Sequence, residues 1–264
     1  MPRFRRRAVH HQTRVVPAPT PQRPTKKETL SSSSSPAMRK LSSDEYSKVL
    51  VKGIAKDETE LNTKYTQKYK AKILNKDLRT LRPNKQIQRE IIEVYLRLIA
   101  KGGKKEKTYV FDCKFQKNLL TGKIDELVDK CQKINLTEMR MILIPIRISN
   151  WFALLVINND EQTFKLYGFT ASMSFITKLF SKCQSFMNEL NERLGKPKIE
   201  YSTDATEYSS IVRSNDSIVF ALMIARFLIN NISLGYIKKG NIERFRNIMT
   251  LEIINGSLTR LYNN

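Results

Sequence analysis

The segment from Asn215 to Asn230 constrains the fold most, because almost every residue in it is apolar. It reads NDSIVFALMIARFLIN, so apolar side chains cover the whole circumference of a helix rather than one stripe. Such a helix is stable in water only when other elements surround it. The chain has no run of the roughly 18 apolar residues that a transmembrane helix needs. We therefore predict a helix buried at the centre of a globular domain, and no membrane association.

Periodicity predicts the elements that surround this helix. Apolar residues recur at helical spacing in four further segments, namely Lys85–Lys101, Leu119–Lys133, Ser172–Leu194 and Ile242–Tyr262. β-branched or alternating residues indicate five strands, namely Thr108–Phe111, Met139–Ser149, Trp151–Ile157, Thr163–Phe169 and Lys198–Thr203. The middle three strands follow one another directly, so they predict an antiparallel meander. The predicted class is α+β, with a central mixed sheet, packed helices and one buried central helix.

Composition divides the chain into three parts. Residues 1–44 hold five early prolines and a run of serines, which predict a disordered basic tail. Residues 45–74 are mostly polar and predict a linker, with a helix near Ser47–Ala55. Residues 75–264 carry the predicted elements and form the predicted folded domain.

Charge and cysteine content limit the function classes. The formal net charge is +22, which favours contact with nucleic acid, acidic proteins or another anionic surface. The three cysteines, Cys113, Cys131 and Cys183, are widely spaced and match no zinc or disulfide pattern. We therefore expect a reducing intracellular setting, no metal and no cofactor. Arg5-Arg6-Arg7 is typical of nuclear-import or nucleic-acid-binding segments, and this favours the nucleus.

Four segments resemble one protease family in order and spacing. They are IQREIIEVYLRLI, MILIPIRISNWFALLVINNDEQTFKLYGF, SNDSIVFALMIARFL and ERFRNIMTLEIINGSLTRL. Together they resemble the catalytic domain of the SENP-type cysteine peptidases, which process and remove SUMO. The resemblance extends over roughly the last 190 residues. It implies a papain-like fold and, in the family, a SUMO-specific isopeptidase activity.

The positions that the resemblance makes catalytic carry other residues. The family's histidine, which precedes a tryptophan, corresponds to Asn150, and its orienting aspartate corresponds to Gly168. The nucleophilic cysteine corresponds to Ser217, and the oxyanion-hole glutamine corresponds to Ile211. Both histidines of the chain, His10 and His11, lie in the tail. A hydroxyl nucleophile needs a neighbouring base, so the resemblance implies a degenerate triad.

The serine itself has a simpler interpretation. Ser217 follows Asn215 and Asp216 at the start of a helix, where such residues accept hydrogen bonds from free backbone N–H groups. We therefore expect Asp216 to cap the helix. A serine–lysine hydrolase and a nucleophilic Cys113 are alternatives that no neighbouring residue in the sequence favours.

In the family, two tryptophans enclose the Gly-Gly tail of SUMO. Trp151 corresponds to one of them, and Gln86 occupies the position of the other. The family's Asn-Asp pair corresponds to Gln88-Arg89, which reverses a charge. The resemblance therefore implies a partner-binding surface at Trp151, Gln86 and Arg89, with an altered tail tunnel. Packing of Trp151 at a sheet end is the alternative.

Three hypotheses follow. The first is an inactive SUMO-protease-like domain that binds or scaffolds SUMO, another ubiquitin-like protein or a nuclear protein complex. The second is a chromatin- or nucleic-acid-associated protein that uses basic patches, including Lys104-Lys105 and Lys238-Lys239, on the same fold. The third is an active deSUMOylating peptidase.

Overall fold

The computed structural model describes residues 38–45, 73–102, 107–168, 171–206, 214–238 and 240–261. All of these residues lie in the compact unit Pro36–Asn264. Most of the predicted tail (1–44) and linker (45–74), including the helix proposed at Ser47–Ala55, lies outside the described residues. No helix in the described ranges is long and apolar enough to cross a membrane.

The described part contains a sheet and several helices. Its strands are β1 (Thr108–Val110), β2 (Met141–Ile148), β3 (Trp151–Asn158), β4 (Thr163–Tyr167) and β5 (Ser202–Thr206). Its α-helices are α1 (Asn75–Arg79), α2 (Arg89–Gly102), α3 (Phe115–Leu120), α4 (Ile124–Cys131), α5 (Met173–Arg193), α6 (Ser217–Ile229) and α7 (Asn241–Asn255). The predicted α+β class, with a mixed sheet and packed helices, is confirmed.

The strands lie side by side in chain order, and the predicted meander is confirmed. β2, β3 and β4 pair antiparallel, whereas β1 and β5 join the two edges in parallel. The turn after β3 is built by Asn158, whose side-chain oxygen accepts from the N–H groups of Asp160 at 3.1 Å and Glu161 at 3.2 Å. Such a local side-chain bond replaces a backbone turn bond.

Parallel pairing requires a crossover, and the crossovers place helices on one face of the sheet. α3 and α4 connect β1 to β2, and α5 connects β4 to β5. Their apolar side chains pack against the even-numbered residues of β2, such as Ile144, and the odd-numbered residues of β3, such as Leu155. The crossover helices α3, α4 and α5 thus cover one face of the sheet.

The opposite face is covered by α2, α6 and α7 around one core. Leu143, Leu154 and Val156 of the sheet belong to this core, together with almost every side chain of α6. Only Leu228 among the residues of α6 is more than 9% exposed, so the helix is buried on all sides as predicted. Its first turn reaches the end of the sheet where β3 begins.

A short segment at residues 38–45 extends the folded part beyond the predicted boundary at residue 75. Met38 is 3% exposed and belongs to the core around α6. The N–H of Arg39 donates to the carbonyl of Leu261 at 2.7 Å, and Arg244 of α7 donates to the carbonyl of Met38 at 2.9 Å. Local composition could not indicate this docking, because its partners are distant in sequence.

Several predicted element boundaries were wrong, and α2 begins at Arg89 rather than at Lys85. The helix predicted over Leu119–Lys133 is interrupted, because Gly122 adopts a φ of +79° between α3 and α4. The last helix ends at Asn255 rather than Tyr262, because Gly256 adopts a left-handed C-terminal cap with a φ of +66°. β5 begins at Ser202 rather than Lys198.

The late start of β5 also has a local cause. The side-chain amide of Gln184 on α5 binds the backbone that precedes this strand. It donates to the carbonyl of Ile199 at 2.6 Å and accepts from the N–H of Tyr201 at 3.0 Å. A side chain therefore takes backbone groups that strand pairing would otherwise use.

Candidate functional site

The hydroxyl of Ser217 is held by two hydrogen bonds at the start of α6. It donates to the carbonyl of Ser214 at 2.7 Å and accepts from the N–H of Phe152 at 3.0 Å. Ser217 is only 3% exposed. A hydroxyl has a single proton to donate, and here that proton is directed to a backbone carbonyl. The hydroxyl therefore joins the start of the central helix to the start of β3.

The capping role predicted for Asp216 is wrong. Its side chain makes no hydrogen bond to the N–H groups of α6. It instead accepts from the Nη2 and Nε of Arg246 on α7, at 2.6 and 3.1 Å. Asp216 pairs with the buried guanidinium of Arg246 because an unpaired cation in the core would cost much more free energy than an uncapped helix N-terminus.

Arg246 also organises the segment before α2. Its Nη1 donates to the carbonyls of Thr80 and Arg82, and its Nη2 donates to those of Lys85 and Asn215, at 3.0–3.3 Å. The residue is 1% exposed, so these bonds are made away from water. Arg246 thus fixes the segment that leads into α2 against the first turn of α6.

The other positions that the resemblance assigns to the triad, Gly168 and Asn150, lie around the same end of the sheet. Gly168 follows β4 with a φ of +75°, and a Cβ atom there would lie 3.7 Å from the ring of Phe220, one helical turn after Ser217. Asn150 is exposed in the two-residue turn between β2 and β3. Ile211, which corresponds to the oxyanion-hole glutamine, lies outside the described residues.

A cleft opens beside this end of the sheet, between the start of α2, the segment before α3, and strands β2 and β3. Its volume is about 450 Å³. Its lining residues are Gln86, Ile87, Gln88, Arg89, Ile92, Cys113, Lys114, Gln116, Lys117, Pro145, Arg147 and Phe152. The structure therefore brings together Gln86 and Arg89, two of the three residues predicted to bind a partner.

The aromatic residue in the cleft is Phe152 rather than Trp151. Side chains alternate along a strand, so Phe152 shares a face with Leu154 and Val156, which pack against α6. Trp151 lies on the same face of β3 as Ala153, and that is the opposite face of the sheet. The structure thus does not join Trp151 to Gln86 and Arg89. The sequence could not show this, because both faces of β3 are apolar.

Gln116 fixes the wall of the cleft, because its side-chain amide binds a strand backbone as a neighbouring strand would. Its side-chain amide donates to the carbonyl of Arg147 at 2.8 Å and accepts from the N–H of Arg147 at 2.6 Å. The guanidinium of Arg147 lies 6.0 Å from the centre of the Phe152 ring, a cation–π distance. These bonds fix the end of β2, whereas the exposed Arg147 side chain stays at the surface.

Cys113 is the thiol that lies in the cleft. Burial raises its pKa to about 11, so it is protonated near neutral pH. The thiolate is the nucleophilic form, and a raised pKa makes it scarce. Burial and the raised pKa therefore give no support to the alternative in which Cys113 is a nucleophile.

The ranges that the structure describes contain no group of three or more His, Cys, Asp and Glu residues arranged to hold a metal ion. The polar side chains of the cleft are amides and cations instead. Lysine and arginine side chains bind anionic groups, and amide side chains bind peptide groups, whereas neither is a usual set of metal ligands.

Several residues of this region carry no local signal in the sequence. Phe152, Gln116 and the cations Lys114, Lys117 and Arg147 come from three separate segments, and only the fold brings them to one cleft. The alternation of side chains along β3 would have placed Phe152 in the cleft if the face of β3 that packs against α6 had been known. No local pattern marks the pair Arg246–Asp216.

Comparison with known proteins gives one consistent result. No family profile matches the sequence, and no curated protein is significantly similar to it. Among solved structures, the chain is similar to the C-terminal Ulp1 protease domain in complex with SMT3, the yeast ortholog of SUMO. The TM-score is 0.71 at 16% identity, over 82% of this chain and 96% of that one.

Two further structures agree. The Ulp1-like SUMO protease catalytic domain of Chaetomium thermophilum gives a TM-score of 0.67 at 18% identity, over 86% of this chain and 94% of that one. A structure described as the de-sumoylating protease gives 0.56 at 11% identity, over 69% and 86% of the two chains. At such identities the likeness establishes the fold, and the chain therefore has the fold of the catalytic domains of Ulp1-type SUMO proteases.

Proposed function

We propose that this chain is a catalytically inactive SUMO-protease-like domain that binds a ubiquitin-like protein, such as SUMO, and serves as a scaffold in the nucleus. The observation that carries the proposal is the hydroxyl of Ser217, which donates its proton to the carbonyl of Ser214 and accepts from the N–H of Phe152. A nucleophile must instead present its oxygen to substrate and its proton to a base.

Proton transfer is the step that this chain lacks the groups to perform. No histidine occurs from residue 12 to residue 264. Asn150, at the position corresponding to the base, has no nitrogen that titrates near neutral pH. Gly168 has no side chain with which to orient a base. Losing the nucleophile, base and orienting residue together leaves only binding and residual electrostatic effects.

The binding half of the proposal is supported by the fold and by the cleft. A protein of the same fold was solved in complex with SMT3, the yeast ortholog of SUMO. In this chain the cleft with Gln86, Arg89 and Phe152 is about 450 Å³ in volume, and Gln86 and Arg89 are exposed. The nuclear setting rests on the basic cluster Arg5-Arg6-Arg7 alone.

Catalysis is tested with a covalent vinyl-sulfone probe built on a ubiquitin-like protein, and with a SUMO precursor as substrate. We expect no labelling and no cleavage by the protein, and also none by its S217C variant, because a thiol there still lacks a base. An active SUMO protease treated in parallel shows that the reagents work. Labelling at any residue, or trimming of the precursor, would overturn the proposal.

Binding is tested by capture on immobilised SUMO at two salt concentrations. We expect F152A to weaken capture and W151A to leave it nearly unchanged, because Phe152 lines the cleft and Trp151 does not. Equal capture by all three proteins would refute the use of this cleft. Retention on DNA that is lost between low and moderate salt, without SUMO capture, would instead favour the nucleic-acid alternative that the charge of +22 suggests.

A further inference from the structure

The cleft beside Phe152 carries positive charge on its rim. Its lining includes Arg89, Lys114, Lys117 and Arg147, all of them exposed, and it includes no carboxylate. Glu93 neutralises part of this charge, because its Oε1 lies 2.7 Å from the Nε of Arg89. The charge on the rest of the rim depends on the other three cations.

Those three cations are not compensated within the described part of the chain. Lys114, Lys117 and Arg147 form no ion pair there, and the Nε of Arg147 donates to the carbonyl of Ser149 at 3.2 Å. The nearby carboxylate of Asp112 accepts from the backbone N–H groups of Lys114 at 2.9 Å and Phe115 at 3.1 Å. Asp112 keeps its charge but pairs with none of these cations in the described ranges, so the three cations outnumber it and leave the rim with a net positive charge.

The rest of the cleft suits an extended peptide. Ile92, Pro145 and Phe152 give it an apolar floor, while the exposed amides of Gln86 and Gln88 can both donate to and accept from peptide groups. The first turn of α2 also borders the cleft, and the positive end of the helix dipole lies there. An apolar floor with a cationic rim is complementary to a peptide that alternates aliphatic and acidic residues.

We propose that this cleft binds an extended peptide segment that carries carboxylates between aliphatic side chains. The inference rests on the proposed binding function and specifies the chemistry of the segment that enters the cleft. Carboxylates meet Lys114, Lys117 and Arg147 at the rim, and the aliphatic side chains cover Phe152 and Ile92. The resemblance implies a neutral Gly-Gly tail in the family, so the charged rim of this chain predicts a different sequence preference.

A peptide fits these features better than single-stranded nucleic acid does. Nucleic acids use aromatic rings as successive stacking platforms for their bases. Phe152 is the aromatic residue of the cleft lining, and the guanidinium of Arg147 already lies 6.0 Å from the centre of its ring. The exposed amides of Gln86 and Gln88 are suited to peptide groups, whereas the amide of Gln116 is already bound to the backbone of Arg147.

The test uses the full chain and two fluorescent peptides. One alternates aspartate or glutamate with leucine or valine, and the other carries asparagine or glutamine in place of the acids. We expect the acidic peptide to bind at least tenfold more tightly by fluorescence anisotropy, with an affinity that falls as salt rises. Equal affinity for the two peptides would overturn the proposal.

Two charge-reversal variants locate the site. K114E/K117E should weaken acidic-peptide binding at least tenfold, because it reverses two cations of the rim. K178E/K182E changes the net charge equally on α5, on the other face of the sheet, and should stay within twofold of the wild type. Thermal unfolding checks that both variants fold, and equal weakening by both would show that the attraction is diffuse, which contradicts a defined site.

The remaining outcomes separate this inference from the proposed function. An oligonucleotide that displaces the acidic peptide and loses affinity in K114E/K117E would assign the cleft to nucleic acid instead. Capture of SUMO that is unaffected by K114E/K117E, with no binding of the acidic peptide, would leave the scaffold function standing and refute this inference. Cleavage of a SUMO precursor would refute the inactive scaffold whether or not the peptide binds.

Discussion

At the scale of single residues, Ser217, Gly168 and Asp216 have structural roles at one end of the sheet. The hydroxyl of Ser217 joins two backbone segments, and Gly168 has a φ of +75°, a conformation that glycine adopts without the strain a Cβ introduces. Asp216 neutralises a buried arginine. Each of these residues can now be tested by its effect on stability rather than on activity.

We expect S217A to lower the free energy of unfolding by about 1–3 kcal/mol, because it leaves the N–H of Phe152 and the carbonyl of Ser214 without their side-chain partner. Urea denaturation measures the change. S185A is the matched control, because the hydroxyl of Ser185 donates to the carbonyl of Ser181 on the exposed side of α5. The control should stay within about 0.5 kcal/mol of the wild type. A neutral S217A would show that the two hydrogen bonds do not stabilise the fold.

At the scale of elements, the packing of α7 against the start of α6 positions one wall of the cleft. Arg246 binds Asp216 and four backbone carbonyls, three of which belong to residues 80–85 just before the cleft residues Gln86 and Gln88. The Thr80 hydroxyl adds a bond from the N–H of Gln88 at 3.1 Å. A change in α7 can therefore alter a surface that α7 does not line.

We expect R246M to destabilise the protein by about 3–5 kcal/mol, because it leaves a carboxylate and several carbonyls without their cation. It should also weaken binding at the cleft under conditions where the variant is still folded. R244M is the control from the same helix, because Arg244 donates to the carbonyl of Met38, for which we expect a loss of about 1 kcal/mol. Equal losses in the two variants would contradict the special role of Arg246.

At the scale of the whole molecule, two cores lie on opposite faces of one sheet, and the segment at 38–45 completes one of them. Met38 packs into the core around α6, and its neighbour Arg39 binds the backbone of Leu261. A second buried network crosses the same core. Glu252 accepts from Tyr95 at 2.6 Å and from Arg226 at 2.9 Å, which joins α2, α6 and α7. The folded unit therefore includes residues on both sides of the predicted linker.

We expect a chain that begins at residue 46 to be less stable than one that begins at Pro36, by about 2–3 kcal/mol, because the burial of one methionine side chain is worth about that much. Guanidinium denaturation of the two chains measures the difference. M38A in the full chain should reproduce most of the loss, which separates the side chain from the rest of the segment. Equal stability would restore the boundary predicted at residue 75.

The sequence by itself determined the main elements and the absence of histidine from the folded part. The apolar circumference of 217–229 required a surrounded helix, and consecutive apolar strands required a meander, because both depend on neighbouring residues alone. The absence of histidine beyond residue 11 is likewise a property of the sequence. The likeness to SUMO proteases, at 16–18% identity to the solved structures, was indicated by four sequence segments that resemble the family in order and spacing.

Only the tertiary structure decided which side chains meet. Phe152 rather than Trp151 lines the cleft because the sheet turns that face toward α6, and no local pattern distinguishes two apolar faces. Asp216 binds Arg246, 30 residues further along the chain, rather than its own helix, because the fold buries that guanidinium beside it. Lys114, Lys117 and Arg147 form one charged rim for the same reason. Contacts between distant segments depend on the path of the whole chain, so a local sequence pattern does not contain them.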